Sequence, residues 1–211
     1  GWAPRHSEVY IHSEIFKMRP DLNASIHTHP TYSVAFSAMG RRMKALSQPS
    51  ALFVDNYGVY TDSMDLIRSK DMGHGVAKAL GKCPVVFLKN HGVVVCGPTI
   101  EDAVISCIML ENACQIQMIA EAAGETAGEF PMDDVLALRK KLLSPEQNAI
   151  NFNYLRRRLE RRRQAVGGRL VEEGPGYPGD NGVEGAAGPV RDDRLPRRHR
   201  LDWGNAEILL G

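Results

Sequence analysis

The stretch ASIHTHPTYSVAF (residues 24–36) places two histidines one residue apart inside an apolar run. A β-strand sends residues i and i+2 to the same face, so His27 and His29 would present both imidazoles to one side. A single histidine on a buried face is most often a hydrogen-bonded core residue. Two that converge from one strand, closed off by Pro30, stand equally for packing and for metal binding, because imidazole is the commonest metal ligand.

Around this stretch lies a chain of 211 residues with a formal net charge of +1. That is one domain, or one domain with an appendage, and ample for a core. The charge is unevenly spread. Residues 1–155 carry 14 Lys and Arg against 16 Asp and Glu, whereas residues 156–211 carry 12 Arg, no Lys and 9 acids. The larger part is mildly acidic, which argues against nucleic acid as its partner. Four cysteines without CxxC spacing read as small apolar fillers in a reducing compartment, with Cys107 and Cys114 sharing a buried helix face. Neither an uninterrupted run of 18 apolar residues nor a signal-peptide pattern is present, so no membrane partner and a cytoplasmic location are expected. The opening GWAPRHSEVYIHSEIF reads as a chain already under way, with its N-terminal part missing.

Outward from the histidine pair, HSEVYIHSEIFKMRP (residues 6–20) carries an imperfect helical stripe through Val9, Ile11, Ile15, Phe16 and Met18, closed by Pro20. NASIHTHP (23–30) reads as a buried strand, and YSVAFSAMG (32–40) as a helix or a second extended piece. ALFVDNYGVY (51–60) reads as a strand with a turn around Asn56 to Gly58. SMDLIRSKDMGHGVAKAL (63–80) reads as a helix with a possible break near Gly73 and Gly75. PVVFLKN (84–90) and GVVVCG (92–97) are β-branched runs flanking NHG, either two strands meeting at a tight turn or one kinked strand. PTIEDAVISCIMLENACQIQMIAEAAG (98–124) is the best helix, capped by Thr99 with Asp102 as its return partner. Its apolar stripe runs through Ala103, Val104, Cys107, Leu110, Cys114 and Met118. Alternating elements of these lengths give an α/β or α+β domain around a central sheet.

Near residue 155 the character changes. LRRRLERRR (155–163) leads into GGRLVEEGPGYPGDNGVEGAAGPV (167–190), rich in Gly, Pro and charge and without periodicity, which is the composition of disorder. The division expected is a domain over 1–155 and a disordered Arg/Gly/Pro-rich tail over 156–211; the abrupt switch from lysine to arginine is compatible with an altered reading frame or with an artificial sequence, and residue types do not choose between them.

Two further groups bear on His27 and His29. His91, in LKNHGVVV, lies where a side chain can emerge from the end of a sheet. Glu8 precedes His27 by 19 residues on the first helix. Three neutral imidazoles with an open position make a catalytic zinc-type site, and a nearby carboxylate can serve as its base. Rival motifs fail. A double-stranded β-helix barrel wants a glutamate soon after its H-x-H pair, and a TIM barrel wants ~250 residues. GxxxxGK[ST] and GxSxG are absent, and no glycine-rich turn joins a strand to a helix in a βαβ unit, which leaves nucleotide binding and serine hydrolysis unsupported.

The combined order of SEVYIHSEIFKMRPDLNASIHTHPTYSVAF (7–36), then VVFLKNHGVVVCGPTIEDAV (85–104) and its helix, resembles the class II aldolase/adducin family over roughly residues 7–125. The resemblance implies an α/β class fold, a three-layer α/β/α sandwich around a mainly antiparallel central sheet, in a homotetramer with sites at subunit interfaces. It implies His27, His29 and His91 as ligands of one divalent ion, zinc first, with manganese or iron also fitting. It further implies Glu8 as the catalytic acid/base and His12, on the same helical face, as a recurrent family histidine that either packs the helix or acts on the site. Asn90, beside His91, is a further candidate for supporting or substrate contacts. Two departures stand out. Some seventy residues that usually precede the glutamate, including phosphate-holding loops, are absent, and ALSQPSALF (45–53) lacks the tyrosine that sugar-phosphate aldolases use as proton donor. Tyr57, Tyr60 or Tyr154 would have to replace it.

The function expected is therefore a divalent-metal-dependent lyase cleaving a C–C bond next to a hydroxyl or carbonyl. Its substrate is a small hydroxy acid or a sugar phosphate, with decarboxylation or aldol cleavage as the reaction. A sugar-phosphate aldolase or epimerase, a non-haem iron oxygenase and a non-catalytic adducin-like scaffold are the alternatives; the scaffold would be expected to lack the histidines.

Overall fold

A computed structural model of the chain describes residues 7–124, 128–165 and 207–210. The chain divides into two compact units, residues 1–153 with 203–211, and residues 154–202. In the first, helix α1 (Val9–Met18) leads to strand β1 (Ala24–Thr28), helix α2 (Thr31–Met39) and a 3₁₀ turn (Pro49–Leu52). Strand β2 (Gly58–Tyr60), helix α3 (Lys70–Leu80) and the hairpin β3 (Val85–Leu88) and β4 (Gly92–Gly97) follow, then helices α4 (Ile100–Ala122) and α5 (Met132–Leu142). Helix α6 (Pro145–Ala165) runs from the first unit into the second, and strand β5 (Glu207–Leu210) returns to the first.

The sheet order is β2-β3-β4-β1-β5. Only the β2–β3 pair is parallel; β3–β4, β4–β1 and β1–β5 are antiparallel. Strands β3 and β4 are apolar and buried throughout because both faces are covered, and alternation sorts their side chains between two cores. On one face Ile26, Val85, Phe87, Val93 and Val95 pack with Phe36 of α2 and Leu110 and Cys114 of α4. On the other, Val86, Leu88, Val94 and Cys96 pack with Ile11 and Ile15 of α1 and Val76 and Leu80 of α3. This is the expected three-layer sandwich with a mainly antiparallel sheet. The four cysteines are free, with Cys107 and Cys114 buried on one face of α4.

Several local readings are resolved or changed. YSVAFSAMG is helical, and NHG joins two strands. Thr99 caps α4, its hydroxyl accepting from the Asp102 amide at 3.2 Å and donating to Asp102 Oδ2 at 2.7 Å. The strand expected from Ala51 is instead the 3₁₀ turn and the loop after it, and strand geometry begins only at Gly58. Two bonds explain the turn: Arg139 Nε donates to the Ala51 carbonyl at 2.7 Å, and the Val54 amide to the Ser50 carbonyl at 3.0 Å. Of the expected disordered tail, the arginine-rich start continues α6 through Ala165, as strong helix formers do, and Glu207–Leu210 is a strand; residues 166–206 lie outside the described residues. Helix α4, 23 residues long, is apolar and long enough to cross a membrane. It carries buried Asp102, Glu111 and Gln117 and packs on the sheet as the central core helix.

Helix α3 is unbroken at Gly73 and Gly75. Gly73 marks a contact point, because a Cβ there would lie 2.3 Å from the Tyr10 carbonyl oxygen of α1. Gly73→Ala therefore has to push two backbones apart, at a cost of about 1–3 kcal/mol. The urea midpoint should fall at unchanged m-value. Gly75→Ala, whose Cβ would meet the Tyr60 ring at 3.0 Å, a side chain that can shift, should cost less. Equal midpoints for Gly73→Ala and the parent would contradict this packing.

Candidate metal centre

Along β1, Ala24 and Ile26 enter the α2/α4 core, so Ser25 and His27 face the α1 side. There the Ser25 hydroxyl meets His12 Nδ1 at 2.9 Å, and His27 meets Glu8. His29 follows the end of the strand. Its Nε2 lies 3.1 Å from His27 Nε2, with the rings edge to face. The hairpin brings in His91, stacked 5.1 Å from the His29 ring. Glu8 stands at the N-cap of α1, its Oε2 3.5 Å from His27 Nε2 and its Oε1 3.6 Å from His91 Nε2. One ligand atom from each of Glu8, His27, His29 and His91 lies within 4.8 Å of the others.

The backbone around the four residues is specialised for this convergence. His27 Nδ1 donates to the Val93 carbonyl across the β1–β4 ladder at 3.0 Å, which leaves its Nε2 lone pair aimed into the cluster. Glu8 Oε1 accepts from the Ile67 amide at 2.8 Å. Asn90 adopts a left-handed conformation, φ 61°, which asparagine tolerates better than most residues and which lets the hairpin turn tightly. Gly92 has no alternative, since a Cβ would sit 2.5 Å from His29 Cδ2 and 2.8 Å from the Thr28 carbonyl oxygen.

His27 Nε2 and His29 Nε2 face each other at 3.1 Å, close enough to share a proton or a cation between them. The donor set, three nitrogens and one carboxylate from three segments, is therefore one that fits a divalent ion such as zinc, manganese or iron. Burial lowers His91 and His29 from the ordinary histidine value, so both favour the neutral, ligand-competent form. Burial pushes the Glu8 carboxyl up, but the His27 ring beside it and the Ile67 amide outweigh this and bring it down to about 2. It is ionised at neutral pH.

These shifts have a sign for stability. Between the lowered folded values and about 6.5, unfolded histidines hold protons that folded His91 and His29 do not. The metal-free protein should therefore lose thermal stability as pH falls from 7 to 5, with Glu8 adding to the loss only below 4.5. A melting temperature that is flat or rising over pH 7 to 5 would contradict the geometry.

The other sequence candidates fall elsewhere. His12 is buried, 1 % exposed, one turn beyond Glu8, and its Nδ1 bonds Ser25 in a group that includes Cys96. The Tyr57 hydroxyl accepts from the Met43 amide and its ring packs against Phe87, on the α2/α4 side of the sheet. It lines a cavity of about 320 Å³ with Arg41, Arg42, Thr61 and Lys89. Tyr60 is buried in the α1/α3 core, and burial raises its hydroxyl above the usual value. Tyr154 is exposed and belongs to the second unit. Sequence reading missed the Ile67 amide and the Val93 carbonyl, because a backbone partner leaves no mark on residue type.

A profile described as the Class II Aldolase and Adducin N-terminal domain matches residues 1–118. A decarboxylase of Streptomyces niveus, Decarboxylase NovR, is 39% identical over 115 residues, covering 54% of this chain and 43% of the relative. A protein of Streptomyces roseochromogenus subsp. oscitans, named 4-hydroxy-3-prenylphenylpyruvate oxygenase/4-hydroxy-3-prenylbenzoate synthase, is 40% identical over 114 residues, with 54% and 41% covered. Among solved structures, L-fuculose 1-phosphate aldolase from Glaciozyma antarctica PI12 superposes with a TM-score of 0.65 at 30% identity, covering 75% of this chain and 60% of that one. The chain thus spans less than half the length of these two curated relatives.

Proposed function

Because the chain belongs to the class II aldolase and adducin family, we propose that it is the core of a metal-dependent lyase that cleaves a C–C bond next to a hydroxyl or carbonyl. Decarboxylation of a small hydroxylated acid is the favoured reaction. The observation that carries this reading is the gathering of Glu8, His27, His29 and His91 within ligand distance of one another. Decarboxylase NovR as a relative supports the reaction, as does the lack of a tyrosine in residues 45–53.

His27, His29 and His91 would hold the ion, and Glu8 would act as acid/base. A bound divalent ion supplies a Lewis acid that stabilises negative charge on a substrate oxygen by several kcal/mol. The Val93 carbonyl keeps His27 in the tautomer that coordinates. In decarboxylation the C–C bond to the carboxylate breaks, carbon dioxide leaves, and the electron pair stays on carbon, delocalised towards the neighbouring oxygen. Glu8, ionised and held by the Ile67 amide through Oε1, takes the substrate hydroxyl proton on Oε2 and returns one to carbon. The fold of a fuculose-phosphate aldolase supports aldol cleavage at the same centre, where the bond broken leads to a carbonyl fragment instead of carbon dioxide. A second reading, favoured by the relative named an oxygenase, is iron-dependent oxygen chemistry on these four residues. A homo-oligomer belongs to the same proposal, supported by exposed Ile116 and Ile119 on α4, and light scattering tests it.

The deciding assay incubates metal-loaded protein with hydroxylated benzoic acids, 2-hydroxy acids and L-fuculose 1-phosphate. Carbon dioxide release without oxygen uptake supports the decarboxylase, a carbonyl product from the sugar phosphate the aldolase, and oxygen uptake with ferrous iron the oxygenase. A loaded protein inert to all three would overturn the lyase reading.

A further inference from the structure

Glu111 is a buried acid, 4 % exposed, on the face of α4 that also carries Leu110, Ala113 and Cys114. A carboxylate there is costly unless its oxygens are satisfied, and its partners all lie on α2. The Tyr32 amide donates to Oε1 at 2.9 Å, and the Ser33 amide and hydroxyl both donate to Oε2 at 2.8 Å. Helix α2 starts with Pro30 at its N-cap, a residue with no side-chain acceptor for those amides. Glu111 therefore caps α2 from another helix, 79 residues away in sequence.

What α2 carries gives this cap its significance. His29 immediately precedes Pro30, so the first turn of α2 fixes where the His27–Thr28–His29 segment leaves the sheet. Further along α2, Ser37 Oγ accepts from the Asn90 amide at 3.1 Å, tying the left-handed turn that bears His91 to the same helix. His91 depends on that tie, because its buried Nδ1 has no hydrogen-bond partner among the described residues. His29 and His91 are thus both placed through α2, and the first turn of α2 is held by Glu111.

We propose that Glu111 is the positioning residue of the metal centre, acting through the N-terminus of α2; this rests on the reading of the four-residue cluster as a metal site. Ligand-supporting contacts of this kind are worth about 10- to 100-fold in metal affinity. Cobalt(II), titrated against a competing chelator and followed by its visible spectrum, tests the inference on the full chain. Glu111→Gln keeps the shape but opposes an NH₂ group to an amide donor. It should weaken cobalt binding about 10- to 100-fold and shift the visible band, with far-UV circular dichroism unchanged. Asn148→Ala is the control. It removes another buried bond to α4, from Asn148 Nδ2 to Asp102 Oδ1 at 2.8 Å, and should lower the melting temperature while leaving cobalt affinity as in the parent. Should Glu111→Gln fail to fold, Ser33→Ala, which removes one of the three bonds, should give a smaller weakening and the same band shift. Parental affinity and spectrum in the folded acid variant, or in Ser33→Ala where it stands in, would overturn the inference, as would equal weakening in Asn148→Ala. A parent that binds no cobalt would overturn the metal-site reading as well, a different outcome from a parent that binds and a variant that binds alike.

Discussion

Replacing Glu8 by glutamine should cut turnover by about 10²- to 10⁴-fold while leaving the metal bound. On the proposed reading the three imidazoles would supply the nitrogen ligands, and a glutamine oxygen can still accept from the Ile67 amide, which the native carboxylate does at 2.8 Å. The isostere therefore preserves the start of α1 and removes only the capacity to accept and return a proton. The check is a steady-state assay on whichever substrate the metal-loaded parent turns over, beside metal content for both proteins. Loss of metal together with activity would make Glu8 a ligand first. Unchanged turnover would remove it from the chemistry.

Replacing Gly92 by alanine should weaken metal binding by about 10- to 100-fold, the scale on which loss of ligand orientation is felt in metal affinity. The added methyl would lie 2.5 Å from His29 Cδ2, 2.8 Å from the Thr28 carbonyl oxygen and 3.1 Å from His27 Cε1. One of these contacts is backbone, and the other two are rings held by the cluster, so the collision cannot be relieved without moving ligands. Competition titration with a chelator reads the affinity. An alanine variant that binds as the parent does would mean that the hairpin and the histidine pair approach less closely than described.

Much of this was legible in the chain because strand chemistry is local. The i, i+2 spacing of His27 and His29 and the β-branched runs either side of NHG already imply imidazoles emerging at one end of a sheet. Thr99 followed by Asp102 marks the start of α4 without any tertiary information. The errors came where packing overrides propensity. Leu52, Phe53 and Val54 are as apolar as a strand, yet they lie in a 3₁₀ turn and its loop, where Arg139 takes the carbonyls of Ala51 and Val54. Gly73 looked like a helix break and is a helix–helix contact, a distinction that depends on the position of Tyr10. Glu111 left a trace in the sequence, an acid four residues from Cys107 and three from Cys114 beside the apolar stripe of α4. Its partner on α2 could not be read, since nothing in the chain says which helix end lacks a cap of its own.

The central claim is that the Glu8, His27, His29 and His91 cluster holds a divalent ion. Elemental mass spectrometry of purified protein, beside the His27→Ala/His29→Ala double variant, tests it most directly. About one zinc, manganese or iron per chain in the parent, lost in the double variant at unchanged secondary structure, is the expected result. A parent that folds, carries no metal and cannot be loaded with any of the three would contradict it.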